Sequence, residues 1–93
     1  MTNKYKYFAA NWKMFGDIKS VNSINGVIKL SKSRKFKKAK IIYCPPYTLL
    51  NNFVQKLKRT KIEVGAQNCH HENSNGSFTG SISSKMIKSL GCN

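Results

Sequence analysis

Hydrophobic and polar residues follow two alternating spacings along the chain, and these spacings predict six elements of secondary structure. Three short apolar runs have the length and the β-branched or aromatic content of strands. Three longer segments have apolar residues at steps of three and four, which gives a helix one apolar stripe. The strands are predicted at 5–11, 41–44 and 62–67, and the helices at 17–30, 47–57 and 81–90. This β-α-β-α-β-α order predicts an α/β fold with parallel strands joined by right-handed helical crossovers.

Residues with special backbone chemistry mark the ends of these elements. Asp17 is placed to cap the first helix, and Pro45–Pro46 ends the second strand. Asn75–Gly76 marks the tip of a polar, turn-rich loop over 68–78. Gly91 follows the last helix at the position of a C-terminal cap.

The predicted order also indicates part of a larger domain. Three parallel strands covered by helices leave two open sheet edges, and a fourth strand is expected just after Asn93. The chain has no run of the roughly 20 apolar residues that cross a bilayer, and no leader pattern at its start. Its three cysteines are odd in number and widely spaced, which is a poor disulfide framework. We therefore expect a cytoplasmic protein with no membrane partner.

The net charge of +14 raises the question of a nucleic-acid partner. The excess is nearly all lysine, with Arg34 and Arg59 the only arginines, although arginine is the better bidentate reader of phosphates and bases. Lys, Asn, Ile and Ser are abundant together, as in chains encoded by AT-rich DNA. The concentrated run Lys32–Lys40 is either a solvated helix end or a basic patch that binds RNA or an acidic partner. We expect no sequence-specific nucleic-acid binding.

Asn11 and Lys13 are the candidate binding residues. They lie two positions apart at the end of the first predicted strand, so both side chains point to one face and Trp12 points to the other. Open and closed α/β folds bind ligands at the carboxyl ends of their strands. A lysine there supplies positive charge for a phosphate or an oxyanion, and an asparagine amide donates and accepts hydrogen bonds. The alternative is a lysine that only extends from the strand end into solvent.

Several segments resemble the triosephosphate isomerase family, in the family's order and at its spacings. The first is Ala-Asn-Trp-Lys-Met at 10–14, similar to the family's opening motif. The others are Cys-Pro-Pro-Tyr-Thr at 44–48, Val-Gly-Ala-Gln-Asn-Cys at 64–69, Asn-Gly-Ser-Phe-Thr-Gly at 75–80, and Met-Ile-Lys at 86–88 with Gly91.

The resemblance implies a (β/α)8 barrel of about 250 residues, of which residues 1–93 hold the first three units of the single domain and stop before the fourth strand. It implies interconversion of dihydroxyacetone phosphate and glyceraldehyde 3-phosphate through an enediolate, with no cofactor and no metal. Lys13 corresponds to the family's electrostatic catalytic lysine, and Asn11 to its substrate-binding asparagine. The family's catalytic histidine and glutamate lie beyond Asn93, so the 93 residues alone are expected to be inactive.

The resemblance also implies a homodimer, in which the third loop, here 68–80, reaches the partner near its active-site lysine. The interface residues carried over are Met14, Asn75, Gly76, Phe78, Thr79 and Gly80. Phe78 either contacts the partner or folds back under its own loop. Phe15 and Ser81 depart from the family's usual asparagine and glutamate and affect the detail of this contact.

The histidines and glutamates of this chain do not correspond to the catalytic histidine and glutamate of the triosephosphate isomerase family. His70 and His71 fall in the third loop, away from the family's histidine position, and neither Glu63 nor Glu72 corresponds to its base. Adjacent ligands at 69–71 without a second spaced pair are a weak metal signal, so we expect no metal site.

Overall fold

Three parallel strands form one sheet in the computed structural model, which describes residues 4–93. The strands are β1 (Lys6–Asn11), β2 (Ala39–Cys44) and β3 (Glu63–Val64), and they lie in the order β1-β2-β3. β1 pairs with β2 along its whole length, and β3 pairs with Ile42 and Tyr43. The predicted parallel α/β arrangement is confirmed.

Helices lie between the strands and after the last of them. A 3₁₀ helix, Ile18–Ile24, leads into α1 (Asn25–Ser31), and a second 3₁₀ turn, Arg34–Phe36, precedes β2. α2 (Tyr47–Leu57) agrees with its prediction at both ends, and α3 is Ser84–Ser89. β2 begins two residues earlier than predicted because Ala39 already pairs with Lys6.

The prediction of one α-helix over 17–30 was wrong for its first half. Asp17 and Ser20 form a reciprocal capping box, and the Ser20 amide also donates to the Asp17 carbonyl at 3.0 Å, an i→i+3 bond. β-Branched residues and Asn or Ser make up nearly all of Ile18–Ile24, and these residue types have low α-helix propensity. The tighter 3₁₀ geometry therefore persists for seven residues before the α-helix begins.

β3 and α3 are both shorter than predicted. The Gly65 amide still donates to the Tyr43 carbonyl at 2.9 Å, but the next donor needed from β2 is Pro45, which has no N–H. The predicted strand over 62–67 therefore pairs for only two residues. α3 begins at Ser84 instead of 81 because the Ser83 hydroxyl accepts the Met86 amide at 3.1 Å and caps the helix there. Gly91 follows its end with φ 104°, as its capping role requires.

The core lies between α2 and one face of the sheet. Phe53 is completely buried at its centre, with its ring 4.9 Å from that of Trp12 and 5.6 Å from that of Tyr43. The other buried members of this cluster are Val21, Ile24, Leu49, Leu50, Val54, Leu57, Ile62, Val64, Ile87 and Cys92. Alternate residues of β1 point away from this layer, and Tyr7 is 66% exposed.

In the part of the chain from residue 4 onward, no helix has the length and apolar character needed to cross a membrane.

Candidate active site

Lys13 has an unusual backbone conformation immediately after β1. Its φ is +54°, in the left-handed region, which costs an L-residue with a Cβ about 1–2 kcal/mol. The Asn11 side-chain oxygen accepts the Lys13 backbone N–H at 2.8 Å, so this asparagine holds the turn in place. Both side chains are exposed at the edge where the strands end, which we call the carboxyl edge. The structure thus brings together the two predicted site residues.

Gln67 holds the same turn from the opposite side. Its Nε2 donates to the Lys13 carbonyl at 2.8 Å and to the Cys44 carbonyl at 2.9 Å. The Cys44 carbonyl also accepts the Trp12 amide at 3.0 Å, so one side chain links the ends of β1 and β2 to the segment after β3. Sequence analysis did not assign Gln67 this role. The feature that could have indicated it is a glutamine side chain three residues after β3, at the carboxyl edge that also carries Asn11 and Lys13.

Trp12 anchors the turn in the core. Its ring packs edge-on against Phe53, with 88° between the ring planes. Gly16 has φ +109°, and a Cβ there would lie 2.8 Å from two atoms of the Trp12 ring. A glycine is therefore required at 16 for the chain to pass over the indole. With Trp12 fixed inward, its neighbours Asn11 and Lys13 face outward.

Asp17, the acidic residue nearest to Lys13 in the sequence, has its carboxylate engaged elsewhere. Its Oδ1 accepts the Ser20 hydroxyl at 2.9 Å and the Ser20 amide at 3.0 Å. These hydrogen bonds, the one from the Ser20 side chain first, lower the pKa of Asp17 below its ordinary value.

The predicted interface residues lie on two exposed segments. Met14 is 93% exposed just after Lys13, and the neighbouring Phe15 is 73% exposed. The third loop exposes the rest of the set: Asn75, Gly76, Thr79 and Gly80 are exposed and Phe78 is 50% exposed.

Phe78 packs on its own loop, which is one of the two arrangements considered from the sequence, and its contact with a partner stays a prediction. Its ring lies 4.5 Å from the His70 ring, and Gly76 fits beneath it because a Cβ there would lie 2.6 Å from the Phe78 side chain. Phe78 is therefore packed on its own loop while half of its surface stays exposed. The Tyr47 hydroxyl, hydrogen-bonded to the carbonyl and side-chain oxygen of Asn68, ties the start of this loop to α2.

The loop histidines are engaged with their neighbours. The rings of His70 and His71 stack at 4.3 Å, and the His70 Nδ1 accepts the Glu72 amide at 3.1 Å. Over residues 4–93, no group of three or more His, Cys, Asp or Glu side chains is placed to hold a metal ion.

Comparison with known proteins agrees with the motif pattern. The family model described as triosephosphate isomerase matches residues 6–93. The chain is 41% identical over 83 residues to triosephosphate isomerase of Wolbachia sp. subsp. Brugia malayi, covering 89% of this chain and 34% of that protein. It is 39% identical over 88 residues to the Aquifex aeolicus enzyme, covering 94% of this chain and 34% of that one.

A solved structure shows the same backbone arrangement. The crystal structure of triosephosphate isomerase from Bartonella henselae superposes with a TM-score of 0.81 at 32% identity, covering 94% of this chain and 35% of that one. The neighbour is a TIM barrel, which confirms the predicted fold class. The chain spans about a third of the length of the curated relatives it matches. Motifs, family match and backbone agree, and the chain belongs to the triosephosphate isomerase family.

Proposed function

We propose that this chain supplies the lysine-bearing part of an active site that interconverts dihydroxyacetone phosphate and glyceraldehyde 3-phosphate through an enediolate. One observation carries the proposal: Lys13 is held in a left-handed turn at the carboxyl edge by the side chains of Asn11, at the end of β1, and Gln67, after β3. A strained backbone kept in place by several contacts is typical of functional sites. The same reaction class is implied by the family to which the chain belongs.

Lys13 acts through charge. A triose phosphate is a dianion, and its enediolate carries further negative charge on oxygen. An ammonium group already fixed beside the bound substrate stabilises that charge without having to reorganise during the reaction. Asn11 is the substrate-binding partner. Its side-chain oxygen is occupied by the Lys13 amide, so its NH₂ group is left to donate to a substrate oxygen.

Gln67 is a positioning residue in this proposal. It touches only backbone carbonyls, those of Lys13 and Cys44, and therefore acts on the substrate through the turn that it fixes.

The proton-transfer groups of this reaction come from outside the described residues. Glu63 lies 4.0 Å from the Lys40 ammonium at the opposite edge of the sheet, and Glu72 lies 3.8 Å from the His71 ring. Each carboxylate lies beside a basic side chain, and neither corresponds to the family's base. The remaining barrel units of the family are the proposed source of base and electrophile.

The active form proposed is a cytoplasmic homodimer of the whole barrel. Its interface comprises the exposed Met14 and residues 75–80 of the third loop, with Phe78 as the apolar contact. The packing of Phe78 on His70 supports this, because it presents the phenyl ring on a loop already shaped before association.

A chimera tests the proposed role of Lys13. Residues 6–93 of this chain replace the matching segment of the Bartonella henselae enzyme, and turnover of glyceraldehyde 3-phosphate is measured. Lys13→Ala is expected to lower kcat/KM by about 100- to 1,000-fold, which is the effect of losing about 3–4 kcal/mol of transition-state stabilisation. Lys19→Ala removes the same charge from an exposed position six residues away and is the matched control.

Two readouts separate catalysis from folding in this test. Circular dichroism of both variants is expected to match the parent chimera, since Lys13 and Lys19 are exposed. A folded Lys13→Ala chimera that keeps near-parental turnover would contradict the assignment of Lys13.

A further inference from the structure

Most of the positive charge gathers at the edge of the sheet where the strands begin, opposite Asn11 and Lys13. Eleven of the seventeen Lys and Arg residues lie there, at the starts of β1 and β2 and in the connections that lead into β2 and β3. We call this surface the basic face. Its residues are Lys4, Lys6, Lys32, Arg34, Lys35, Lys37, Lys38, Lys40, Lys58, Arg59 and Lys61.

The fold brings together segments of the basic face that are far apart in the sequence. The Lys6 amide donates to the Lys38 carbonyl at 2.9 Å, which joins the start of β1 to the turn before β2. The Lys61 ammonium donates to the Phe36 carbonyl at 2.6 Å, which joins the segment before β3 to the same turn. The sequence alone showed only the run Lys32–Lys40, so the contribution of the other segments follows from the structure.

Acidic residues do little to neutralise this face. Of the three in the chain, Glu63 lies there, beside Lys40. Asp17 and Glu72 follow β1 and β3 and belong to the carboxyl edge. Apart from the half-buried Lys40, the side chains of the face are exposed. Neighbouring strands lie about 4.8 Å apart, so charges on three strand starts fall within about one Debye length and reinforce one another.

We propose that the basic face binds the phosphate backbone of RNA without sequence selectivity. A dense array of lysines suits a polyanion, because each neutralised phosphate releases condensed counterions. Lysine carries a point charge and lacks the planar, bidentate guanidinium of arginine. A surface rich in lysine is therefore suited to contacts with phosphates and not with base edges. This proposal is independent of the isomerase proposal, since it uses the opposite edge of the sheet.

Features of the surface favour nucleic acid over an anionic bilayer. Binding in a membrane interface requires exposed apolar side chains that insert among the lipids. In the connection from Lys32 to Lys38 the one aromatic residue, Phe36, is partly buried. Among the exposed rings of β1 and its start, Tyr5 lies nearest to the charges, with the Lys40 ammonium 5.4 Å from its ring centre, and it offers a base a surface to stack on.

Two triple variants of equal net charge test this proposal. The face variant carries Lys35→Ser, Lys37→Ser and Arg59→Ser, and the control variant carries Lys19→Ser, Lys85→Ser and Lys88→Ser at exposed positions outside the basic face. Binding of a fluorescent 20-nucleotide single-stranded RNA to the full 93-residue chain is measured by anisotropy between 25 and 200 mM salt. Vesicles of phosphatidylserine and phosphatidylcholine are the second probe.

The variants are expected to differ in both affinity and salt dependence. The face variant should bind RNA at least about tenfold more weakly at low salt, and its slope of log K against log salt should fall by about 2, since each lost phosphate contact removes about 0.7. The control variant should keep the parental slope, and RNAs of different sequence should bind equally. Restoring charge with Lys35→Arg and Lys37→Arg should restore binding.

Other outcomes overturn the proposal. Equal loss in the two triple variants would show that total charge, and not the folded face, drives binding. Failure to bind RNA at low salt, sequence-selective binding, or binding to vesicles in preference to RNA would each contradict it as well.

Discussion

At the scale of single residues, the turn of the candidate site is held by Gln67 as well as by Asn11. The left-handed turn at Lys13 is opposed by its own backbone energy, and two side-chain amides offset that cost. The place of Asn11 and Lys13 at the end of β1 could be predicted from the sequence, and their role in binding stays a prediction. The contacts of Gln67 could not be predicted, because it bonds two carbonyl groups whose proximity exists only in the folded chain.

Replacing Gln67 with methionine tests this account. Methionine has similar length but no N–H donor, so the carbonyls of Lys13 and Cys44 lose their partner. We expect the free energy of unfolding of the chimera to fall by about 1–2 kcal/mol, for two hydrogen bonds open to water, and kcat to fall by about tenfold or more. Gln55→Met, at an exposed position of α2, is the matched control. Parental turnover in Gln67→Met would show that the turn at Lys13 keeps its conformation without the hydrogen bonds from Gln67.

At the scale of elements, periodicity predicted where each helix lies, and local chemistry decided where it ends. α2 was predicted at both ends because Pro46 precedes it and its apolar residues recur at steps of three and four. The structure buries this stripe against the sheet. The errors at β3 and α3 arose from individual groups, the missing N–H of Pro45 and the capping hydroxyl of Ser83. The 3₁₀ start of the first helix was missed because apolar residues at steps of three suit either helix type.

The capping box at the start of that 3₁₀ helix predicts a pH effect. Hydrogen bonds from Ser20 lower the pKa of Asp17 in the folded chain. The ionised carboxylate therefore stabilises the folded segment at pH values above the pKa of the unfolded chain. That stabilisation is lost as the pH falls through the lower pKa of the folded chain. Ser20→Ala should raise the Asp17 pKa toward the ordinary 3.8 and flatten the acid dependence of stability.

NMR titration of the Asp17 carboxyl carbon measures this shift. Ser23→Ala, an exposed serine in the same 3₁₀ helix, is expected to leave the Asp17 pKa where it is. An unchanged Asp17 pKa in Ser20→Ala would show that the capping box is not formed in solution.

At the scale of the whole molecule, the chain is flatter than a typical domain of its size. Its radius of gyration is 14.6 Å, whereas about 12 Å is usual for 93 residues. Its extents are 48 × 35 × 21 Å, and Tyr7, Phe8 and Met14 remain exposed. One layer of helices covers one face of a parallel sheet, although such sheets normally have both faces covered. We therefore expect a small margin of stability for these 93 residues.

This incomplete burial and the arrangement of the acidic groups lead to a prediction for the 93-residue chain itself. We expect no isomerase turnover above background with glyceraldehyde 3-phosphate, because charge at Lys13 cannot replace a positioned base. We also expect a broad thermal transition, or aggregation on heating, because the core around Phe53 is one-sided. The assay uses the active chimera at equal concentration as its positive control. Saturable turnover would contradict the first expectation, and a sharp cooperative transition from a soluble monomer would contradict the second.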